Sequence, residues 1–200
     1  MTELQPRFRS PVRAELDDDR ARVYDAITGG PRAGRARLTP VADAEGRLLG
    51  PFGPMLLSPG VGDAVQELGA AIRFLGALRD DEREIAILAV AAAQRSGFEW
   101  FAHDAAARAA WVPAEDVAAV RNGERPACER LAAVWDIARE LMASGSLDDA
   151  AFAAAQRELG APAIAELVWL TGYYAMLATA LRVFDPPVPE DARLVFASRE

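Results

Sequence analysis

The chain has 200 residues, 52% of them hydrophobic, with a net charge of −8 at pH 7 and a sequence pI near 4.8. This composition suffices for one well-buried domain, and the acidic balance argues against binding of nucleic acid or of a membrane surface, which leaves small molecules or copies of the chain as partners. All 22 basic residues are arginine, which excludes lysine Schiff-base chemistry and the usual attachment of pyridoxal phosphate.

One histidine and one cysteine are present. These counts exclude cysteine-rich zinc sites, iron–sulfur clusters and metal centres with two or three histidines. A magnesium site made of carboxylates alone stays open, but no pattern in the sequence supports it. Cys128 has no partner for an intramolecular disulfide, which fits a reducing cytoplasm. It lies near the expected start of a helix, where a thiol can be acidified, but a small apolar side chain in the core is the better interpretation.

Residues 1–61 are predicted to form an irregular N-terminal region that packs on the core. Residues 1–14 indicate a mobile arm, without the apolar run of a signal peptide or membrane anchor. A short helix is predicted from Glu15 to Ile27, ended by Gly29-Gly30-Pro31. The turn-rich segment that follows carries apolar side chains such as Phe52, and we interpret it either as a lid or pocket wall or as an element of a subunit interface.

Helical periodicity predicts helices in the rest of the chain, where no segment has an equally clear strand pattern. The predicted helices cover 63–78, a pair within 81–110 that meets at Ser96-Gly97, then 113–120, 125–142, a segment from caps at Ser146 and Asp149 to Leu159, and 163–184. The last helix is apolar, but its uncharged stretch is shorter than the roughly 18 residues of a membrane span, so a central buried helix is predicted. We predict an all-α bundle, with a helical domain at 62–188 and a short tail at 189–200.

The central pair of helices holds the only histidine and the densest ionisable groups on an apolar background. Asp81 with Glu84, and Ser96 with Glu99, each have the spacing of a capping box that starts a helix. Glu99 and His103 are four residues apart, so both project from one helical face, where a carboxylate can bond an imidazole and fix its tautomer and charge. Glu84 can approach the same point from the preceding helix.

The runs R-E-I-A-I-L-A-V-A at 83–91 and S-G-F-E-W-F-A-H at 96–103 resemble the carboxymuconolactone decarboxylase family, whose relatives include the alkylhydroperoxidases. In the peroxidase branch a glutamate precedes Cys-x-x-Cys, and a histidine follows four residues after the second cysteine. Glu84 and His103 match the outer positions, whereas Ser96 and Glu99 stand where the cysteines would be. A dithiol peroxidase needs both thiols. The resemblance therefore implies an alkylhydroperoxidase-like helical bundle of the decarboxylase-like branch.

The resemblance also implies a cofactor-free lyase or isomerase acting on a small carboxylated, lactone-like or unsaturated carbonyl compound. Loss of carbon dioxide beside a carbonyl leaves an enolate-like anion, to which His103 would supply a proton. Glu99 would orient and charge the imidazole, and Glu84 would serve as a second proton relay or anchor. The weaker candidates for contact with the substrate are Ser96, Trp100, Arg83, Phe52 and Tyr173, followed by Arg95, Phe101 and Tyr174.

Each candidate also has an ordinary structural interpretation: the glutamates and Ser96 as caps, His103 and the aromatic residues as core, and the arginines as partners of surface glutamates. Two other classes of function stay open. One is a peroxide-reducing protein in the manner of the alkylhydroperoxidases, and the other is a non-catalytic oligomeric binding protein that kept the fold. Because family members assemble as trimers or hexamers, we expect a homo-oligomer, as a dimer, trimer or hexamer, in the cytoplasm.

Overall fold

The structure is a computed structural model that describes residues 6–29 and 39–196. These residues contain ten α-helices and one isolated bridge between Ala42 and Leu48, without a strand. The prediction of an all-α fold is confirmed. The chain divides into two compact units, Met1–Leu75 with Leu177–Glu190, and Gly76–Met176 with Asp191–Glu200.

The first unit begins with the segment that the sequence indicated as a mobile arm. From residue 6 onward this segment is packed: Ser10 is 1% exposed, and its carbonyl accepts a hydrogen bond from Arg47 Nη1 at 2.9 Å. The rings of Phe8 and Phe184 meet edge to face, with 6.2 Å between centroids. The expectation of a loose arm is therefore wrong for residues 6–14, because backbone and aromatic contacts hold them.

A single 3-10 turn, Arg13–Glu15, precedes α1 (Asp18–Thr28). Asp17 caps α1, since its Oδ1 accepts the Arg20 N–H at 3.0 Å. The helix predicted from residue 15 thus starts later, at the residue after this cap. The Gly30-Pro31 part of its predicted stop lies outside the described residues.

Two helices follow in the same unit, α2 (Phe52–Met55) and α3 (Pro59–Phe74). The sequence predicted one helix over 63–78 with Asp63 as its cap, and the observed helix begins and ends earlier. Pro59 can occupy the first turn because its missing N–H would have no partner there in any case. At Gly62 a Cβ would collide with the carbonyl of Met55, so the close approach of α2 and α3 requires glycine.

The second unit is built around α4 (Asp80–Ala93). Every residue from Glu82 to Ala91 is buried. Three helices pack against α4, namely α5 (Gly97–Ala109), α6 (Ala114–Asn122) and α7 (Glu129–Ser144). Ionisable side chains in a buried helix are stable only where they have hydrogen-bonding or charged partners. The partners of the acidic residues of α4 therefore mark the candidate site of this unit.

Two helix starts differ from the prediction for identifiable reasons. The predicted helix over 125–142 begins only at Glu129, because Arg125 precedes Pro126 and a residue before proline avoids helical geometry. The next helix, α8 (Asp149–Glu158), is capped by Asp148, whose carboxylate accepts the Ala151 N–H at 2.7 Å.

The long helix α9 (Ala161–Phe184) was predicted to be central and buried. One of its faces is instead exposed, at Val168, Trp169 and Met176, with Trp169 65% accessible to solvent. Among the described residues, α9 is the one helix whose length and composition would allow it to cross a membrane, and 44% of its most apolar window is buried within the protein.

The C-terminal segment, predicted as a tail, contains α10 (Glu190–Leu194) and packs at the start of α5. The ring of Phe196 meets that of Trp100 edge to face at 5.7 Å, and the Phe196 carbonyl accepts a hydrogen bond from Arg95 Nη2 at 2.6 Å. A Cβ at Gly97 would collide with the carbonyl oxygen of Ala192. Glycine at this position therefore allows the tail to approach α5.

Candidate functional site

Two successive helices place the predicted acid and base groups. Glu84 lies near the beginning of α4, His103 lies in the middle of α5, and only residues 94–96 connect the two helices. Arg95 in this connection has φ of 50°, in the left-handed region, which lets the chain turn within a short distance. Packing of α4 against α5 then brings Glu84 and His103 together across 19 positions of sequence.

The shortest contact in this group joins His103 Nδ1 and Glu84 Oε2 at 2.6 Å. The two residues are 5% and 3% exposed, respectively. At this distance the Nδ1–H donates to the carboxylate, which holds the imidazole in one tautomer and leaves Nε2 as the nitrogen that can exchange a proton. A hydrogen bond of this kind is stronger in a buried setting than in water.

Glu99, on the same face of α5 as His103, approaches the other ring nitrogen. Its Oε2 lies 3.7 Å from His103 Nε2, within the range of an ion pair but beyond the about 3.2 Å limit of a normal N–H···O hydrogen bond. The prediction that Glu84, Glu99 and His103 converge is confirmed, but the prediction that Glu99 makes the hydrogen bond is wrong. The i, i+4 spacing places both side chains on one face without fixing their separation, and the neighbouring helix supplies the closer carboxylate.

Neither Glu84 nor Glu99 serves as the cap that its spacing predicted. The glutamate that caps α4 lies earlier in the chain, where Glu82 Oε2 accepts the Arg79 N–H at 2.9 Å. At the start of α5, the Ser96 side chain makes no capping hydrogen bond, and its own N–H donates to a carbonyl of α4 at 2.8 Å. Both glutamates are directed to the histidine and not to the helix ends.

Two consecutive tyrosines of α9 lie beside the imidazole. The Tyr174 ring is perpendicular to that of His103, at an interplanar angle of 89° and a centroid distance of 5.2 Å. The Tyr173 ring is in turn nearly perpendicular to that of Tyr174, at 83° and 5.3 Å. Both tyrosines are buried. We therefore define the histidine cluster as Glu84, Glu99, His103, Tyr173 and Tyr174.

The two arginines predicted to hold a substrate carboxylate have other partners in the second unit. Arg83 is 6% exposed, and its guanidinium donates to the Leu78 carbonyl at 3.4 Å and pairs with Asp80. Arg95 donates to the carbonyl of Phe196 and lies over its ring, with Cζ 5.8 Å from the centroid. A role for either in binding a substrate stays a prediction.

The remaining predicted contact residues lie in several places. Ser96 and Trp100 are buried at the start of α5, where the Trp100 ring packs against Phe196 and beneath Arg121 at 5.9 Å. Phe101 is half-buried on the same helix. Phe52 is half-buried in α2 of the first unit.

Cys128 is exposed and free, at the residue before α7. The expectation that it fills the core is therefore wrong, because the late start of α7 leaves this position outside the packed part of the helix. Across residues 6–29 and 39–196, no group of three or more His, Cys, Asp or Glu side chains is arranged to hold a metal ion.

Two members of the histidine cluster have a larger part in its geometry than the sequence indicates. The i, i+4 spacing favours Glu99 over Glu84, although the family pattern singles out Glu84 by its position. Tyr173 is the stronger candidate from the sequence, although Tyr174 is the tyrosine whose ring contacts the imidazole. Neighbouring aromatic residues in an apolar helix carry no signal that tells which one faces a distant histidine.

Comparisons with known proteins agree with this fold. Residues 59–140 match the model of the carboxymuconolactone decarboxylase family, a segment that contains Glu84, Glu99 and His103. No curated protein sequence matches the chain significantly.

A solved structure extends the likeness over nearly the whole chain. It is an uncharacterised peroxidase-related protein from Ralstonia eutropha JMP134, described as an alkylhydroperoxidase AhpD core, with a TM-score of 0.72 at 20% identity over 96% of this chain and 97% of that one. At such low identity the likeness shows the fold alone. The chain therefore has the alkylhydroperoxidase-like fold, and its segment 59–140 is similar to the carboxymuconolactone decarboxylase family.

Proposed function

We propose that this protein is a cofactor-independent lyase or isomerase that acts on a small carboxylated or lactone-like compound through His103. The observation that supports the proposal is the buried hydrogen bond of 2.6 Å between His103 Nδ1 and Glu84. It leaves Nε2 of a buried imidazole available for proton exchange, which is the arrangement that general acid–base catalysis needs.

In a decarboxylation, the bond between the carboxylate carbon and the carbon beside the carbonyl breaks, and carbon dioxide leaves. The electron pair of that bond passes into an enolate, and the Nε2–H of an imidazolium protonates the carbon. In an isomerisation, neutral Nε2 first takes a proton from one carbon and then returns it to another. Glu84 offsets the positive charge that the ring carries in either reaction.

Glu99 has a different role in this proposal from the one its spacing predicted. With Oε2 at 3.7 Å from Nε2, it stands beside the working nitrogen without occupying it. From there it can accept a second proton or hold a hydroxyl group of the substrate next to the imidazole. Glu84 takes over the orienting role.

The second candidate function is peroxide reduction, which the peroxidase-related description of the structural neighbour favours. Cys128 is the only thiol of the chain, and it is exposed. Peroxide reduction here would form a sulfenic acid on Cys128 and would need an external thiol to reduce it again. A non-catalytic binding protein is the third candidate.

One experiment separates the three candidates. Turnover of unsaturated lactones and carboxylates is measured beside thiol-dependent reduction of a hydroperoxide, for the native protein, Cys128→Ser and His103→Gln. We expect lactone or carboxylate turnover that survives Cys128→Ser and is lost in His103→Gln. Peroxide consumption with the reverse dependence would contradict the proposal in favour of the thiol chemistry, and inactivity in both assays would favour a binding protein.

We also propose that the protein is a soluble cytoplasmic homo-oligomer, from dimer to hexamer. The apolar face of α9 at Val168, Trp169 and Met176 is exposed in the single chain, and a patch of this kind often marks a subunit contact. Light scattering should return a mass at least twice that of one chain, which is 21.5 kDa. A particle of 21.5 kDa at micromolar concentration would contradict this proposal.

A further inference from the structure

We propose that Tyr174 is a positioning residue that fixes the plane of the His103 imidazole, with Tyr173 as its support. The proposal deepens the acid–base function proposed above, and it rests on that function only for its activity readout. Its spectroscopic readout reports the position of the ring directly.

The hydrogen bond to Glu84 does not by itself determine where Nε2 points. A bond at Nδ1 fixes the tautomer and restrains that edge of the ring, but small coupled changes of χ1 and χ2 can still move the opposite edge, which carries Nε2. On the other side, Glu99 Oε2 is 3.7 Å from Nε2, too far for a hydrogen bond that would hold the far nitrogen. A further contact is needed to define the ring plane.

Tyr174 supplies that contact from a third helix. Its ring is perpendicular to the imidazole at 5.2 Å, within the range of about 4.5 to 7 Å in which edge-to-face pairs are favoured. Tyr174 is 4% exposed, so its ring is confined by the packing around it. A rotation of the imidazole would break the perpendicular arrangement, and Tyr174 thereby sets the direction of Nε2.

Tyr173 supports Tyr174 in the same way. Consecutive side chains of a helix diverge by about 100°, so two adjacent tyrosines whose rings touch must turn toward each other. The two rings meet at 5.3 Å and 83°, and Tyr173 is 5% exposed. Because Tyr173 acts on the imidazole through Tyr174, its replacement should have the smaller effect.

The experiment compares Tyr174→Leu and Tyr174→Phe with Tyr24→Leu as the matched control. Tyr24 is a buried tyrosine of α1, in the first unit, whose hydroxyl donates to the Gly46 carbonyl at 2.8 Å. Because the chain has one histidine, ¹H–¹³C NMR shows a single set of imidazole C–H signals. We expect sharp signals in the native protein, Tyr174→Phe and Tyr24→Leu, and broadened signals in Tyr174→Leu. The line width is the readout, because loss of the Tyr174 ring current shifts the signals even if the imidazole does not move.

We expect the variants to rank in the same order by their loss of activity. Misplacement of a reacting group by an ångström can cost about 10²-fold in rate, so kcat of Tyr174→Leu should fall about 10-fold to 100-fold with KM little changed, whereas Tyr174→Phe should stay within about twofold. If Tyr174→Leu does not fold, Tyr174→Met replaces it, since methionine fills the space without a ring. The same changes are expected of it.

The proposal fails if a folded Tyr174→Leu or Tyr174→Met keeps imidazole signals as sharp as those of the native protein and keeps its kcat, while melting as early as Tyr24→Leu. Tyr174 would then be an ordinary core residue. Failure of the proposed function looks different: activity would survive His103→Gln, whatever the NMR signals of the Tyr174 variants show.

Discussion

Glu82 and Glu84 are both buried on α4, but the regions around them differ in kind. Glu82 is 1% exposed and is held by the Arg79 N–H and by the guanidinium of Arg130 on α7. Glu84 is 3% exposed and is held by the imidazole of His103 on α5. The first carboxylate thus pairs with a side chain of permanent charge, and the second pairs with an imidazole, a group that can carry or release a proton.

This difference separates a structural ion pair from a candidate reaction site. Arginine keeps its charge throughout the pH range of a folded protein, so the contact between Glu82 and Arg130 can only join α4 to α7. Histidine changes charge, so the contact between Glu84 and His103 can take part in proton transfer. Burial alone does not distinguish the two carboxylates.

The largest effect is expected from His103→Gln. Glutamine keeps a polar side chain next to Glu84 but removes the titratable ring, so turnover should fall ~10²–10⁴-fold, the usual contribution of a general acid or base. The thermal midpoint should change little, because the buried carboxylate keeps a hydrogen-bond donor. Steady-state kinetics and a melting curve of the same preparation check both statements.

Glu84→Gln should come next, with turnover lower by roughly 10²-fold, because the imidazole loses the charge that fixes its tautomer and offsets the imidazolium. Glu99→Gln is the matched control, since it makes the same change of atoms at the other ring nitrogen and should have the smaller effect. If Glu99→Gln lowered turnover more than Glu84→Gln does, Glu99 and not Glu84 would be the residue that orients the imidazole.

Glu82→Gln should lower stability and leave the chemistry intact. Breaking a fully buried ion pair costs about 3–5 kcal/mol, but the Arg130 side chain is 34% exposed, so we expect a loss of about 2 kcal/mol in the free energy of unfolding. Urea unfolding measures this loss, and the turnover of the folded fraction should equal that of the native protein. A Glu82→Gln protein that folds normally but turns over as slowly as Glu84→Gln would remove the distinction between the two carboxylates.

The smallest effect is expected at an exposed pair in the first unit. The Arg13 guanidinium, hydrogen-bonded to Asp25 at 2.7 Å, lowers the pKa of that carboxyl below its ordinary value of 3.8. A lowered carboxyl pKa adds stability that is present above the unfolded-state pKa and is lost as the pH falls through the folded-state value. Both side chains are about half exposed, so solvent and salt screen the pair.

Arg13→Gln should therefore lower the melting temperature only slightly at neutral pH. The difference from the native protein should shrink as the pH falls below about 3.8, and also in molar salt. Calorimetry at several pH values tests this sign. A difference that grows toward acid pH would contradict it.

The sequence predicted the helical class of the fold and the approximate places of most helices, because apolar periodicity and turn residues are local signals. It misplaced the start of α3, since Pro59 in a first turn resembles a loop residue until the helix is seen. It also missed the packing of Phe196 on Trp100. Contacts between distant segments leave no local pattern.

The candidate site was also predicted only in part, because local patterns do not show how closely two helices pack. The resemblance and the spacing identified Glu84, Glu99 and His103, but the choice between the two glutamates depends on how closely α4 approaches α5. Capping boxes with the correct spacing favoured the wrong cap residues, because at the start of α4 it is Glu82 that accepts the N–H of the N-cap residue, Arg79. Tertiary packing decided between local alternatives of similar strength.

The claim that Glu84 holds the Nδ1–H of His103 is tested most directly by long-range ¹H–¹⁵N NMR of the single imidazole in its neutral form. The account predicts a neutral ring protonated at Nδ1, a tautomer that Glu99→Gln retains and Glu84→Gln loses. A neutral ring protonated at Nε2, or a tautomer that follows Glu99 and ignores Glu84, would contradict the account.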